Sequence, residues 1–119
     1  MFKISFFLTA VLVAQLILAP STSRADDHKS LSKIKLLLID GQNNHDWKRC
    51  SPVMIDTLNA TGRFSIDRAT VAKEDIANFR PDFSKYDVVL SNYNGEPWLQ
   101  ETQDSFVKSM KKGGNLVVV

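Results

Sequence analysis

The sequence predicts an α/β protein built on an open, largely parallel, doubly wound sheet. Three observations carry that expectation. Short apolar runs at Ile34–Ile39 and Val88–Leu90 each break into a polar loop, apolar residues at helical spacing follow, and another apolar run, Leu116–Val119, closes the chain.

The beginning of the chain reads as a targeting segment rather than as fold. Lys3 precedes an apolar stretch from Ile4 to Ala19, and small residues follow at Ser23 and Ala25, the order of a secretory signal. The stretch falls short of the ~20 apolar residues of a membrane span, so cleavage after Ala25 is expected rather than anchoring. This divides the chain into a signal peptide (1–25), a flexible leader (26–33) and one partial domain (34–119), with export to the periplasm or the exterior. Lys3 and Arg24 are the only charges of the signal, so the remainder balances its 13 acids with as many bases. A neutral remainder gives no argument for nucleic acid or an anionic membrane as partner. Cys50 is the single cysteine, so no internal disulfide forms. The residue reads as a partly buried small hydrophobe, with a reactive thiol or an intermolecular bridge as alternatives.

Each element has its own signal. Ile34–Ile39 is short, apolar and ended by Asp40-Gly41, as in a strand covered on both faces. Ser51 and Pro52 resemble a helix cap and a first-turn proline; Met54, Ile55 and Leu58 then fall at helical spacing until Gly62. Arg63–Val71 alternates, which suits an outer strand. Lys73–Phe79 allows one or two helical turns before Pro81. Tyr86–Asn94 repeats the opening pattern, a strand running into an asparagine-bearing loop. Pro97 fits the first turn of the last helix, with Leu99, Phe106, Val107 and Met110 along one face. Acids at Glu96, Glu101 and Asp104 and lysines at Lys108, Lys111 and Lys112 complement the helix dipole, and Gly113-Gly114 ends it. Asn115–Val119 then starts a further buried strand. The expectation is a domain truncated after its fourth strand, since consecutive valines need a covering layer.

Parallel sheets bind ligands beyond the carboxyl ends of their strands. Two loops leave such ends, "DGQNNHDW" after the first strand and "SNYNGEPW" after the third. Their amides, acids and imidazole (Asp40, Gln42, Asn43, Asn44, His45, Asp46, Asn92, Asn94, Glu96) offer donors and acceptors, and Trp47, Tyr93 and Trp98 offer flat apolar faces. That combination suits a neutral polyhydroxylated ligand such as a sugar. The plainer reading is that Asn, Asp and Gly form turns, Asp46 or Asn44 caps a helix, and the tryptophans close the core. A metal site from Asp40, His45, Asp46 and Glu96 lacks a diagnostic spacing. A Cys50–His45 nucleophile pair has nothing to place the two together, and no glycine-rich phosphate loop occurs. No cofactor is expected. Cleavage after Ala25 would expose Asp26-Asp27-His28, whose amine, amides and imidazole could wrap Cu(II) or Ni(II), against the reading of an accidental histidine in a loose leader. Asn59-Ala60-Thr61 is formally a glycosylation sequon at an expected helix end.

Together, "KIKLLLIDGQNNHDWK", "GRFSIDRAT", "FRPDFSKYDVVLSNYNGEPW" and "GGNLVVV" resemble the N-terminal half of a ThuA-like domain, over residues 33 to 119. That family is named for trehalose utilisation and is placed in the class I glutamine amidotransferase-like superfamily. The resemblance implies a flavodoxin-like three-layer sandwich and a small-molecule carbohydrate as partner. It matches Gly41, Asn44, His45 and Trp47 to the family's first loop and Asn92, Asn94, Gly95 and Trp98 to the second; Asp40 and Glu96 adjoin them. The substrate-binding set expected is therefore Asp40, Gly41, Asn44, His45, Trp47, Asn92, Asn94, Gly95, Glu96 and Trp98. Amidotransferase nucleophiles come from later strands, and Cys50 does not match one, so the resemblance implies neither glutaminase activity nor catalysis by this segment alone. A non-catalytic binding module and a metal-assisted hydrolase stay open as alternatives.

Overall fold

The computed structural model describes residues 32–119. The expected signal peptide, most of the expected leader and the Asp26-Asp27-His28 motif lie outside the described residues. The order of elements is β1 (Ile34–Asp40), α1 (Trp47–Ala60), β2 (Phe64–Thr70), two 3₁₀ segments (Lys73–Asn78 and Phe83–Lys85), β3 (Val88–Ser91), α2 (Gln100–Lys111) and β4 (Asn115–Val118). The four strands form one parallel sheet in the order β2-β1-β3-β4. This is the flavodoxin-like arrangement, in which the chain first winds outward from β1 and then reverses at β3.

The apolar run of β1 explains why it lies centrally. Leu36, Leu37, Leu38 and Ile39 are all buried, so both faces of the strand need cover. Leu36 and Leu38 join Leu90 beneath Met54, Ile55 and Leu58 of α1. On the opposite face Leu37, Ile39 and Val89 meet Val71, Ile76, Phe79 and Phe83, with Phe106 and Met110 of α2 packed against them. Period-two alternation thus feeds two cores, and the result is a three-layer α/β sandwich. Among the described strands β2 pairs with β1 alone, as its alternating pattern indicates.

Five local expectations need correction. Helix α1 begins at Trp47 rather than after Ser51, because the Asp46 side chain accepts from the Arg49 amide at 3.3 Å and caps it. Pro52 consequently lies inside the helix, where it forfeits only the bond to the Lys48 carbonyl near the helix start. Helix α2 begins at Gln100, and Pro97 precedes it. Its inward stripe is Thr102, Phe106 and Ser109 rather than a face containing Leu99 and Val107, both of which are exposed. The reason is polar: Thr102 Oγ1 donates to the Phe79 carbonyl at 2.8 Å, and Ser109 Oγ donates at 3.2 Å to that of Phe83, which also accepts from the Tyr86 amide. Cys50 is exposed, since it lies on the outer side of α1. Strand β4 pairs with β3 but is not buried, and Val118 is 68% exposed, because no described element packs over it. Among the described residues no helix is long and apolar enough to cross a membrane.

Leu38 has no exposed surface, whereas Val53 on α1 is 64% exposed. Leu38→Ala is expected to lower unfolding stability by ~2–5 kcal/mol. Val53→Ala is expected to change it by less than about 0.5 kcal/mol. Urea denaturation followed by circular dichroism measures both.

Candidate functional site

From β1 the chain crosses over α1 to β2, and from β3 it crosses over α2 to β4 on the other side. Loop 41–46 and loop 92–99 therefore leave the same rim and diverge to opposite faces of the sheet. The crevice opened by such a reversal is the usual ligand position in this architecture.

The end of β1 is held to β2 by Asp40. Its carboxylate is fully buried and accepts from Arg68 Nε at 2.8 Å and from Thr70 Oγ1 at 2.7 Å, with Arg68 Nη2 also at 2.8 Å. Gly41 follows with φ +123, and a Cβ there would lie 2.3 Å from the Val71 carbonyl oxygen, so only glycine lets β1 turn beside Val71.

Gln42 ties the two loops together. Its main-chain oxygen accepts from the Asn94 amide at 2.8 Å, its Oε1 from the Glu96 amide at 3.3 Å, and its Nε2 donates to Tyr93 Oη at 3.1 Å. The Tyr93 hydroxyl in turn donates to the Glu96 carbonyl at 2.7 Å. Burial, and then the nearby Glu96 charge, pushes the Tyr93 phenol above its ordinary range, which keeps it a donor. Gly95 is required by this join, because a Cβ at that position would fall 2.3 Å from Gln42 Cβ.

Deeper in the crevice Asn92 is a second node. It is fully buried, as is Ser51. Asn92 Nδ2 donates to Ser51 Oγ at 3.0 Å, while Oδ1 lies 3.1 Å from Asn43 Nδ2 and 2.9 Å from His45 Nε2. Strand alternation places Asn92, two residues after Leu90, on the α1 side of the sheet, where Ser51 points inward.

The expected site residues therefore divide between two faces. On the α1 side Asp40 and Asn92 are buried, Asn44 and His45 are exposed, and the half-buried Trp47 ring lies 5.9 Å from the Arg68 guanidinium and 5.6 Å from Lys48 Nζ. On the other side Gly95, Glu96 and Trp98 line an open cleft of about 320 Å³ with Tyr93, Gln103, Phe106 and Val107. Trp98 stacks among aromatic residues, 5.0 Å from Phe79, 6.0 Å from Phe83 and 5.8 Å from Tyr93, and acts as core. Its Nε1 is buried without a hydrogen-bond partner among the described residues. The two tryptophans share a rim but do not converge. Asn94 is exposed, and Glu96 pairs with Lys73 at the surface. Among the described residues no three His, Cys, Asp or Glu side chains gather as a metal site would need.

Two residues outside the expected set matter. Ser51 reads as a cap in the sequence, yet Ser51, Ile55 and Leu58 fall at i, i+4 and i+7, and a serine on that stripe signals a buried polar contact. Arg68 shares the parity of Phe64 and Ile66, so the core face of β2 carries a charge that needs a buried partner.

The fold and the rim define a parallel α/β protein with a polar switch-point crevice. It is similar to a ThuA-like protein from Parabacteroides merdae of known crystal structure, with 38% sequence identity and a TM-score of 0.70. That match covers 73% of this chain, and the chain spans 32% of the length of the Parabacteroides protein. No family model matches the chain, and no curated protein does.

Gly95→Ala is expected to cost ~1–3 kcal/mol by forcing Gln42 aside. Amide hydrogen exchange at Asn94 and Glu96, the two amides bonded to Gln42, is expected to accelerate, while that of Leu38 accelerates no more than the loss of global stability dictates.

Proposed function

We propose that the chain is the N-terminal part of an exported ThuA-like protein that binds a neutral polyhydroxylated ligand, of the disaccharide type, at the α1 side of the rim. The observation that carries this reading is the exposed His45 imidazole anchored on a fully buried Asn92, two residues before the half-buried Trp47. An oriented imidazole and the amide of Asn44 suit ligand hydroxyls, and the indole face suits the C–H face of a sugar ring. The likeness to the Parabacteroides protein supports the family, and the segment 1–25 supports export. Asp40 and Asn92 act from beneath, as buried supports. Gly95, Glu96 and Trp98 belong to the cleft on the opposite face, which offers a second place for a ligand. The reading is one of binding, and no reaction is assigned to this segment.

Isothermal titration of the protein with trehalose and other glycosides tests the proposal. Saturable heat is expected, weakened at least 10-fold by His45→Ala or Trp47→Ala and little changed by Trp98→Phe. Absence of heat with every glycoside rejects it. A second reading, a protein-binding module, is favoured by the exposed apolar margin of Val107, Leu116, Val117 and Val118. That reading places the sensitive substitutions on the margin and leaves His45→Ala without effect.

A further inference from the structure

The hydrogen-bond pattern around Asn92 determines where the His45 proton lies, and the deduction starts from atoms whose chemistry is not in question. Asn43 Oδ1 accepts from the Asn44 amide at 2.8 Å, and Asn43 Nδ2 donates to the Asn92 main-chain oxygen at 3.2 Å. A backbone N–H and a backbone C=O thus orient the Asn43 amide, and its NH₂ is the group facing Asn92. The Asn92 atom 3.1 Å away must then be the oxygen, which leaves the Asn92 NH₂ to donate to Ser51 Oγ. His45 Nε2, at 2.9 Å from that oxygen, has to be a donor. A neutral imidazole carries one N–H, so its Nδ1 is an acceptor, and no described residue is hydrogen-bonded to it.

We propose that Asn92, oriented by Ser51 and Asn43, is a positioning residue that holds His45 as the Nε2–H tautomer and so presents Nδ1 as an acceptor for a ligand hydroxyl. This rests on the binding site proposed above and adds its selectivity. The opposite tautomer would set two lone pairs against each other at a buried oxygen that water does not reach, and the resulting bias is on the order of 10-fold or more. A ligand that offers an O–H at this point is favoured over one that offers only acceptors, such as an O-methylated sugar.

Side-chain ¹⁵N–¹³C correlation spectra of the full chain read the tautomer directly. Wild type is expected as Nε2–H. Asn92→Ala is expected to relax His45 toward a mixture, and Ser51→Ala, which leaves the Asn92 oxygen in place, to relax it less. An Nδ1–H or evenly mixed wild type overturns the proposal, whether or not any sugar binds and whether or not the variants fold. Under trehalose titration, displacement of the His45 Nδ1 resonance with Nε2 unmoved supports the acceptor role. Saturable binding with Nδ1 unmoved overturns that role. If no glycoside binds, the functional reading fails, and the wild-type tautomer still decides the positioning of His45.

Discussion

Everything at the rim depends on the parallel pairing of β1 with both β2 and β3. A strand of consecutive leucines cannot leave either face in water, so it takes the centre of the sheet, with a helix layer above and below. Parallel neighbours then require crossovers, and crossovers place every outgoing loop at one end. Winding outward to β2 and then back across β1 to β3 sends the loops that follow β1 and β3 to opposite faces. The crevice is the space between them, and its existence follows from topology before any polar residue is considered.

Divergence of the loops leaves backbone and side-chain polar groups buried at the point of parting, and these need partners. Gln42 and Asn92 supply them in two storeys. Gln42 works near the surface with main-chain groups of the second loop, and Asn92 works below with Ser51, Asn43 and His45. An amide offers a donor and an acceptor on one flat group, which a carboxylate does not, and this suits Asn and Gln to these positions. Asp40 does different work. Its burial is tolerable because Arg68 and Thr70 engage both carboxylate oxygens, and the pair fastens the sheet edge instead of facing the crevice.

The layer architecture was legible because β1 and β3 are apolar enough to demand burial and β2 alternates. The shared rim followed from the same pattern. The ends of the helices were less legible, for a chemical reason: Asp46 competes with Ser51 as the start of α1 and Gln100 follows Pro97 at that of α2, and the outcome depends on what Ser51 and Thr102 meet across the fold. The face on which each tryptophan lies was hidden for a related reason. Both follow polar loops of similar composition, yet one loop feeds α1 and the other feeds α2. Which side of a sheet a crossover takes is a three-dimensional outcome, and no local pattern in "DGQNNHDW" or "SNYNGEPW" encodes it. The pairing of Asn92 with Ser51 spans 41 positions, beyond any periodicity.

The separation of the two indoles has an optical consequence. Both are half-buried, but Trp98 packs against aromatic rings whereas Trp47 lies beside two cations. Their emission spectra should differ in wavelength and in access to a dissolved quencher. The protein therefore carries an intrinsic fluorophore on each side of its sheet, and the loosening of one layer can be watched without touching the other.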